Sequence, residues 1–465
     1  MFTQSMDAIT AIQPRSCRGT VDAVRGMTIV VRQLKAPIGA VVAIECATGG
    51  REQRVRGEVI GFDGNRALVM LLGGAGGIGP GDRVWMERTS DSIMVGDSWL
   101  GRVLNGLGEP IDGGSHPTHL VSRPLFPPTA NPMERGMIGA PLSTGVRAID
   151  GLLTLGRGQR VGIFSGPGVG KSTLLANIAR GTDADVNVIA LVGERGREVK
   201  EFITSALGEE GMARSIVVVA TGDESPLLRI RAMAAAITVA EHFRDRGRDV
   251  MLMIDSITRF AQAQRQIGLA AGEQPATKGY TPSVFSLLPQ MLERAGSVPG
   301  GGSITGIHTV LVEGDDMTEP VADAAMGILD GHIVLSRKIA ARGHFPAIDC
   351  LNSISRVADQ VSEETHITAR RRMIELLAAY EENAELIQIG AYAQGSNSMT
   401  DTAIHMKNVL DGFLRQGSHE HSSMADTCKG LFEVAANSER VRQAAASAAA
   451  TVAAHAANAN EKVKA

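Results

Sequence analysis

The chain has 465 residues, of which 44% are hydrophobic and 21% are charged, a balance typical of a soluble globular protein with ample core material. Its 46 Lys and Arg against 50 Asp and Glu give a net charge of −4, so no overall basic charge indicates nucleic acid or an anionic membrane as a partner. Glycine is frequent, with 54 residues, whereas aromatic residues make up only 3%. We therefore expect glycine to mark turns, element junctions and ligand loops.

The cysteines and the two ends of the chain indicate the cellular compartment in which the protein is expected. Cys17, Cys46, Cys350 and Cys428 lie far apart without a CxxC pair, which excludes a zinc ribbon or a disulfide scaffold and fits a reducing cytosol. The amino terminus lacks the basic region and apolar run of a secretory signal. The alanine-rich stretch 444–457 is too weakly apolar to hold a span in lipid. We expect a soluble cytoplasmic protein.

The first part of the chain is predicted to be a short segment, 1–18, followed by a β-barrel domain, 19–92. The barrel is indicated by short Val- and Ile-rich runs separated by glycine turns. The glycine cluster at 73–82 precedes a strand and lacks a lysine and a following helix, which favours a barrel-corner loop over a nucleotide loop. The segment before the barrel has only a weak apolar spacing, formed by Phe2, Met6, Ile9 and Ile12.

Residues 93–360 are predicted to form an α/β core, because strands alternate with helices from about residue 143. Runs such as VNVIALVGE and DVMLMIDS are apolar on both faces, which predicts a parallel sheet covered on both sides. Residues 361–436 carry only helical patterns and are predicted to be a small α-helical domain. The alanine-rich tail, 437–465, has little to bury, so we expect it to be a frayed helix or disordered.

The strongest local motif is SGPGVGKST, at residues 165–173. It follows a strand and opens a helix, the context that a phosphate-binding P-loop requires, although Ser165 stands where the strict pattern has glycine. Its glycines let backbone N–H groups approach phosphates, Lys171 reaches the β- and γ-phosphates, and the Ser172 hydroxyl can bind Mg²⁺. The predicted nucleotide-binding residues are Gly166, Pro167, Gly168, Val169, Gly170, Lys171, Ser172 and Thr173.

Two further strands end in acidic residues that ATP hydrolysis can use. Asp255 follows the apolar run VMLMI, where a carboxylate holds the water shell of the metal, with capping of the next helix as its alternative role. Glu194 and Arg195 follow another buried strand at the expected ligand-binding edge of the sheet. Glu194 is the candidate catalytic base, although spacing alone does not rank it above Glu198 or Glu201.

These motifs resemble those of the hexameric ATPases related to the F- and V-type rotary catalytic subunits. The same resemblance extends to TGVRAIDGLLTLGRGQR, IDSITRFAQAQR and PATKGYTPSVFSLLPQMLERAG. PAIDCLNSIS, at 346–355, fits a signature of that superfamily. Within it, EGDDMTEPVADAAMGILDGHIVLSRKIAARGHFPAIDCLNSISR is most similar to the flagellar and injectisome type III export ATPases. The resemblance implies a β-barrel, a RecA-like P-loop core with a parallel sheet, and an α-helical domain, in that order.

The resemblance also implies roles for individual residues, with ATP and Mg²⁺ as ligands. Lys171, Ser172 and Asp255 take the P-loop and metal roles, and Glu194 is the catalytic base. Arg356 matches the arginine finger that enters the site of the neighbouring subunit. Phe345 stands where related subunits hold an aromatic ring against adenine, with a core phenylalanine as the alternative. Arg195 either supports the site or links subunits, with a simple salt bridge as the alternative.

The implied partners follow from the same resemblance. A finger and a P-loop in one chain favour a homohexamer, because each copy can complete the site of its neighbour. The family works at the cytoplasmic face of an inner-membrane export apparatus, with a stator-like negative regulator, a central stalk, an export gate, and export chaperones and substrates. The resemblance implies neither nucleic acid nor a transmembrane segment.

Four interpretations of the function remain open from the sequence. The first is a type III export ATPase, flagellar rather than injectisome, and the second is an F- or V-type rotary subunit. The third is a ring motor driven by nucleic acid, which the few aromatic residues of the barrel, Phe62 and Trp85, disfavour. The fourth is a regulatory subunit without catalysis, against which the presence of both Glu194 and Arg356 speaks.

Overall fold

A computed structural model of the chain describes residues 18–464, except for residues 49–50, 89–91, 116, 129–130, 313 and 315. Side chains from residue 448 onward, and a few within strands and helices before it, are outside this description. Residues 1–17 of the predicted amino-terminal segment, with the apolar residues Phe2, Met6, Ile9 and Ile12, likewise lie outside the described residues.

The elements of the described residues follow the chain in three groups. The strands are β1 (Arg18–Arg25), β2 (Thr28–Arg32), β3 (Val41–Thr48), β4 (Arg51–Asp63), β5 (Arg66–Leu71), β6 (Arg83–Arg88), β7 (Ser92–Val95), β8 (Val103–Asn105), β9 (Val121–Pro124), β10 (Pro141–Leu142), β11 (Leu155–Gly156), β12 (Arg160–Ser165), β13 (Val186–Val192), β14 (Ser215–Ala220), β15 (Asp249–Asp255), β16 (Gly296–Ser297), β17 (Ser303–Leu311), β18 (Gly331–Leu335) and β19 (Ile348–Ser355). The helices are α1 (Arg147–Leu152), α2 (Lys171–Gly181), α3 (Gly196–Glu201), α4 (Gly208–Ala213), α5 (Pro226–Arg244), α6 (Ile257–Ala270), α7 (Pro282–Leu292), α8 (Pro320–Ile328), α9 (Arg337–Ala341), α10 (Glu364–Glu382), α11 (Ala384–Gln388), α12 (Ser398–Leu414) and α13 (Met424–Lys464), with a π-helical turn at Phe202–Leu207.

The first six strands close into a barrel in the order β1-β2-β5-β4-β3-β6. Neighbouring strands are antiparallel, and pairing of Gly19 on β1 with Val84 on β6 completes the circle. Valine, isoleucine and leucine side chains, among them Val21, Ile44 and Val69, fill the interior. The glycine cluster at 73–82 connects β5 to β6, so its prediction as a barrel loop is confirmed.

The central sheet has the strand order β19-β18-β12-β17-β15-β13-β14-β8. The strands from β18 to β8 are parallel, whereas β19 is antiparallel to β18. All seven residues of β13 and all six of β14 are buried, as expected for strands covered on both faces. The predicted fold class is therefore confirmed, while the antiparallel edge strand β19 and the short strand β8 were not predicted.

The two faces of the sheet pack against different helices. On β13, Val188 and Ala190 belong to a core formed with α5, α6 and α7, and Ile189 and Leu191 to a second core formed with α2. This alternation is the period of two that a strand imposes. The carboxyl-terminal helices α10, α12 and α13 contribute to the second core, so the helical domain packs on the same face of the sheet as the P-loop helix α2.

The last helix, α13, extends through the predicted alanine-rich tail. It runs from Met424 to Lys464 without a break at the predicted start of the tail, residue 437. Ser438 is buried and accepts a hydrogen bond from Arg372 Nε at 3.0 Å. High helix propensity carries the alanine-rich chain onward from this anchored portion. Among the described residues, no helix has the length and apolar character needed to cross a membrane.

The antiparallel direction of β19 places its two ends at opposite edges of the sheet. Ile348, at its start, pairs with Leu335 at the carboxyl edge, and Ser355, at its end, pairs with Gly331 at the amino edge. From Arg160, at the start of β12, to Gly166, which begins the P-loop, six residues at about 3.3 Å each separate the two edges by roughly 20 Å. Residues just before β19 therefore lie near the end of β12, whereas residues just after it lie far from that end.

Candidate active site

The P-loop connects the end of β12 to the start of α2. Gly168 and Gly170 have φ angles of +79° and +86°, which a residue with a Cβ adopts only at a cost. Gly170 precedes the first helical residue, Lys171, and has no side chain to cap the amide groups of the first turn. Such amide groups, together with the helix dipole, form an anion-binding site.

Lys171, Asp255 and Glu194 come together beside this loop, as the sequence predicts. Lys171 Nζ lies 2.5 Å from Asp255 Oδ1 and 3.7 Å from Glu194 Oε1. The Asp255 side chain is only 4% exposed, and the hydroxyl of Thr309 donates a second hydrogen bond to its Oδ1 at 2.7 Å. An ammonium group between two carboxylates at the mouth of a P-loop forms a polar cluster that is suited to phosphate chemistry.

Glu194 has the properties of a general base. Burial and the nearby Asp255 carboxylate together raise the pKa of its carboxyl group to about 7, although Lys171 opposes the shift. A carboxylate with a pKa near the working pH can accept a proton from an attacking water molecule. Glu198 lies beside Glu194 and also pairs with the exposed side chain of Arg195 at 3.4 Å.

The oxygen donors of the site fit Mg²⁺ bound together with a nucleotide. The Ser172 hydroxyl, at the start of α2, and the Asp255 carboxylate are oxygen donors of the type that Mg²⁺ prefers. Within the described residues, no cluster of three His, Cys, Asp or Glu side chains could hold a metal alone. A metal ion here therefore needs additional ligands, which substrate phosphates and water supply in such sites.

Phe345 lies next to the P-loop. A Cβ atom placed on Gly170 would be 3.6 Å from two carbons of the Phe345 ring, and the Phe345 side chain is 45% exposed. An exposed ring beside a phosphate loop offers a stacking surface for a base. Its carbonyl accepts a hydrogen bond from the backbone N–H of Gln416 at 2.9 Å, which links this residue to the chain that follows α12.

Two candidate residues do not join the cluster. The Arg195 side chain is 86% exposed and pairs with Glu198 at 3.4 Å, which is the simple salt bridge that the sequence left as an alternative. Arg356 is exposed and follows β19 at the amino edge, where its N–H donates to the Asp330 carbonyl at 3.0 Å. It therefore lies an entire strand length from the P-loop of its own chain.

Three residues of this region were missed by reasoning from sequence. Thr309 contacts Asp255 from the neighbouring strand β17. Arg259, in the first turn of α6, lies with its Cβ 2.8 Å from a Cβ placed on Gly193. Arg337, the first residue of α9, covers Gly166, since its guanidinium group would contact a Cβ placed there. Arg259 follows Asp255 by four residues, so its place near the site could have been predicted from the sequence. The places of Thr309 and Arg337 could not, because they depend on the order of the strands in the sheet.

A separate cavity of about 380 Å³ lies at the amino edge. Its charged lining residues bind one another: Arg294 pairs with Glu241 at 2.6 Å, and Arg160 pairs with Glu293 at 2.5 Å. The cavity contains none of the P-loop residues. The carboxyl edge remains the candidate active site.

Comparison with known proteins agrees with this geometry. The ATP synthase alpha/beta family profiles match residues 23–86 as the beta-barrel domain and 145–355 as the nucleotide-binding domain, and the T3SS EscN ATPase C-terminal domain profile matches 362–433. The chain is 48% identical over 442 residues to the flagellum-specific ATP synthase of Bacillus subtilis, covering 94% of this chain and 100% of that protein. It is 47% identical over 416 residues to the type 3 secretion system ATPase of Xanthomonas euvesicatoria, covering 90% and 93%.

The solved structures give the same result. The assembled ATPase EscN of the enteropathogenic E. coli type III secretion system matches with a TM-score of 0.83 and 41% identity, covering 90% of this chain and 100% of that one. EscN in complex with its central stalk EscO matches with a TM-score of 0.82. The fold, the P-loop cluster and these similarities together show that the chain belongs to the family of flagellum-specific and type III secretion ATPases, enzymes that hydrolyse ATP.

Proposed function

We propose that this protein is the ATPase of a flagellar type III export apparatus, at the cytoplasmic face of the inner membrane, and that it couples hydrolysis to the release and unfolding of export substrates and their chaperones. The observation that supports hydrolysis most directly is the grouping of Lys171, Asp255 and Glu194 at the P-loop. The flagellar assignment is supported by flagellum-specific relatives in Pseudomonas aeruginosa and Bacillus subtilis at 49% and 48% identity. An injectisome ATPase is the second candidate, because the Xanthomonas relative is nearly as similar.

In this proposal each residue at the carboxyl edge of the sheet has a distinct role in ATP binding or hydrolysis. The loop 166–173 holds the phosphates through its backbone amide groups, and Lys171 contacts the β- and γ-phosphates. Ser172 and Asp255 would hold Mg²⁺ and its water shell, and the bound metal would neutralise charge on the phosphates. Glu194 takes the proton of the attacking water, and Phe345 stacks against adenine.

Arg356 acts on the neighbouring subunit in this proposal. Its place at the amino edge, roughly 20 Å from its own P-loop by strand length, supports action in trans. A guanidinium group that reaches the γ-phosphate contributes on the order of 10³-fold or more in such enzymes. A homohexamer then has six equivalent sites, each completed by the next copy, as the assembled state of EscN also suggests. Arg195 is exposed in the single chain and is available as a subunit link.

The partners extend the same proposal. The described complex of EscN with a central stalk supports a stalk partner for this chain, at the mouth formed by the helical domains. A stator-like regulator, an export gate and export chaperones are the remaining partners that we propose.

Two measurements test the proposal. We expect Glu194→Gln to lower ATP turnover at least about a hundredfold, because it keeps the size of the side chain but removes the base, while nucleotide binding is retained. Near-normal turnover would remove Glu194 from this role.

For the biological assignment, the gene is placed in strains that lack either the flagellar or the injectisome ATPase, with Glu194→Gln as the inactive control. Restored motility without restored injectisome secretion supports the flagellar assignment, and the reverse pattern contradicts it.

A further inference from the structure

Gln159 is a buried amide at the start of the P-loop strand. It directly precedes β12 and is 0% exposed. Its Nε2 donates to Ser355 Oγ at 3.0 Å and to the Asp330 carbonyl at 3.2 Å, and its Oε1 accepts from the N–H of Gly156 at 2.9 Å. A single side chain therefore joins three segments that are distant in the sequence.

These bonds converge on the backbone around Arg356. The Asp330 carbonyl that accepts from Gln159 also accepts from the Arg356 N–H at 3.0 Å. Ser355, the preceding residue, donates from its hydroxyl to the Thr154 carbonyl at 2.9 Å. None of these bonds involves the guanidinium group of Arg356. The network fixes where the side chain of Arg356 begins and leaves its far end to reach outward.

The residues that hold this network are themselves fixed by hydrogen bonds and close packing. The Asp330 carboxylate accepts from the backbone N–H and the Nε of Arg160, both at 3.0 Å. Close packing adds a further constraint, because a Cβ atom placed on Gly331 would lie 2.5 Å from the Ile354 carbonyl oxygen. The end of β19 therefore has little freedom to shift relative to β12.

The bonds of Gln159 go beyond local structure. The Gly156 N–H needs an acceptor, which Gln159 Oε1 supplies, but the bonds from Nε2 hold the segment that carries Arg356. Such anchoring matters for a catalytic arginine, because a catalytic group displaced by about 1 Å can lose about a hundredfold in rate. The amide connects the start of the strand that leads to the P-loop with the segment that carries Arg356.

We propose that Gln159 is a positioning residue for Arg356: it fixes the position of the Arg356 backbone at the amino edge, and with it the point that the side chain reaches in the phosphate site of the next subunit. This inference rests on the proposed role of Arg356 as a finger in trans. It assigns Gln159 to the site of the neighbour rather than to the P-loop of its own chain, although it directly precedes the P-loop strand.

The first experiment compares two buried amides. We expect Gln159→Leu to lower kcat by about 10- to 100-fold while the Kd for ATP changes by less than about threefold, since the P-loop is untouched. The matched control is Asn187→Leu, which removes another fully buried amide, at the second position of β13, that donates to the Ala179 carbonyl at 2.8 Å. The control loses stability but keeps its turnover per assembled hexamer.

Mixed hexamers then decide in which site Gln159 acts. Lys171→Ala subunits cannot hydrolyse ATP but still donate Arg356, so they are expected to rescue Arg356→Ala subunits. We expect them to rescue Gln159→Leu subunits as well, whose own P-loops are intact. The double variant Lys171→Ala/Gln159→Leu is expected to rescue Arg356→Ala at least fivefold less well than Lys171→Ala alone, because its finger is displaced.

The outcomes separate the two proposals. Failure of Lys171→Ala to rescue Arg356→Ala overturns the finger in trans, and with it the role of Gln159. Rescue in that pair, together with equal rescue by the double variant, overturns the positioning role alone. If Gln159→Leu does not assemble, Ser355→Ala replaces it in the same scheme, since it removes one anchor with little change in volume.

Discussion

Gly331 gives a second way to move Arg356 without touching it. Its backbone lies outside the left-handed region, so alanine is conformationally acceptable there. The added Cβ would lie 2.5 Å from the Ile354 carbonyl oxygen and 3.1 Å from Ser355 Cα. An ordinary C···O contact is about 3.3 Å or more, so the end of β19 has to withdraw by roughly 0.8 Å. We expect Gly331→Ala to lower kcat about 10- to 100-fold, because misplacement on this scale is costly for a catalytic group.

The assay for Gly331→Ala is steady-state ATP turnover at saturating ATP, with nucleotide affinity from a fluorescent analogue and assembly from light scattering. Affinity is expected to stay within about threefold, because the P-loop lies at the other edge of the sheet. The matched control is Gly327→Ala in α8, where an added Cβ has no atom within 4 Å. Equal turnover of the two alanine variants in assembled hexamers would refute the displacement.

Two further predictions concern binding and pH. We expect Phe345→Ala to weaken ATP binding about 5- to 150-fold, since base stacking contributes about 1–3 kcal/mol, and to leave inorganic tripolyphosphate binding unchanged; equal losses for both ligands, measured by calorimetry, would contradict stacking. His308 is fully buried, and burial lowers its pKa to about 3, with Arg160 adding to the shift and Asp330 opposing it. The unfolded residue has a pKa of about 6.5, so below this pH the unfolded state binds a proton that the folded state does not bind. The free energy of unfolding therefore falls as the pH drops from 6.5 toward 3, by about 2 kcal/mol between pH 7 and pH 5. The melting temperature of His308→Leu is therefore expected to fall less than that of the wild type over this range, and parallel curves would contradict the expectation.

The parts of the site that lie within one strand–loop–helix unit could be predicted from sequence. Lys171 and Ser172 are fixed by their glycine neighbours, and Asp255 and Glu194 each end an apolar run whose direction is set by the parallel sheet. Their meeting within 4 Å of Lys171 Nζ follows from strands β12, β13 and β15 sharing one edge.

Other parts depend on pairings between distant segments, which local patterns do not encode. The antiparallel direction of β19 separates Phe345 from Arg356, and neither its direction nor its partner is visible in the run IDCLNSIS. The roles of these two residues were therefore expected from family resemblance alone. Thr309 and Gln159 carry no motif. Thr309 reaches Asp255 because β17 lies beside β15, and Gln159 reaches Asp330 and Ser355 because β12, β18 and β19 are neighbours. For the tail, composition indicates helix propensity, whereas the buried position of Ser438 near its start depends on where the preceding helices pack.

The strand β12 leads into the P-loop at one end, and at its other end Arg160 binds Asp330, whose carbonyl accepts from the Arg356 N–H. This double connection has a consequence for genetics. In a ring of mixed subunits, a variant defective only in Lys171 or only in Arg356 inactivates one site per copy, so activity falls in proportion to the share of variant subunits. A substitution that displaces the whole strand, for example at the buried Ile163, damages its own site and that of its neighbour. Activity then falls with the square of the wild-type share, so such alleles are expected to be more strongly dominant in partial diploids.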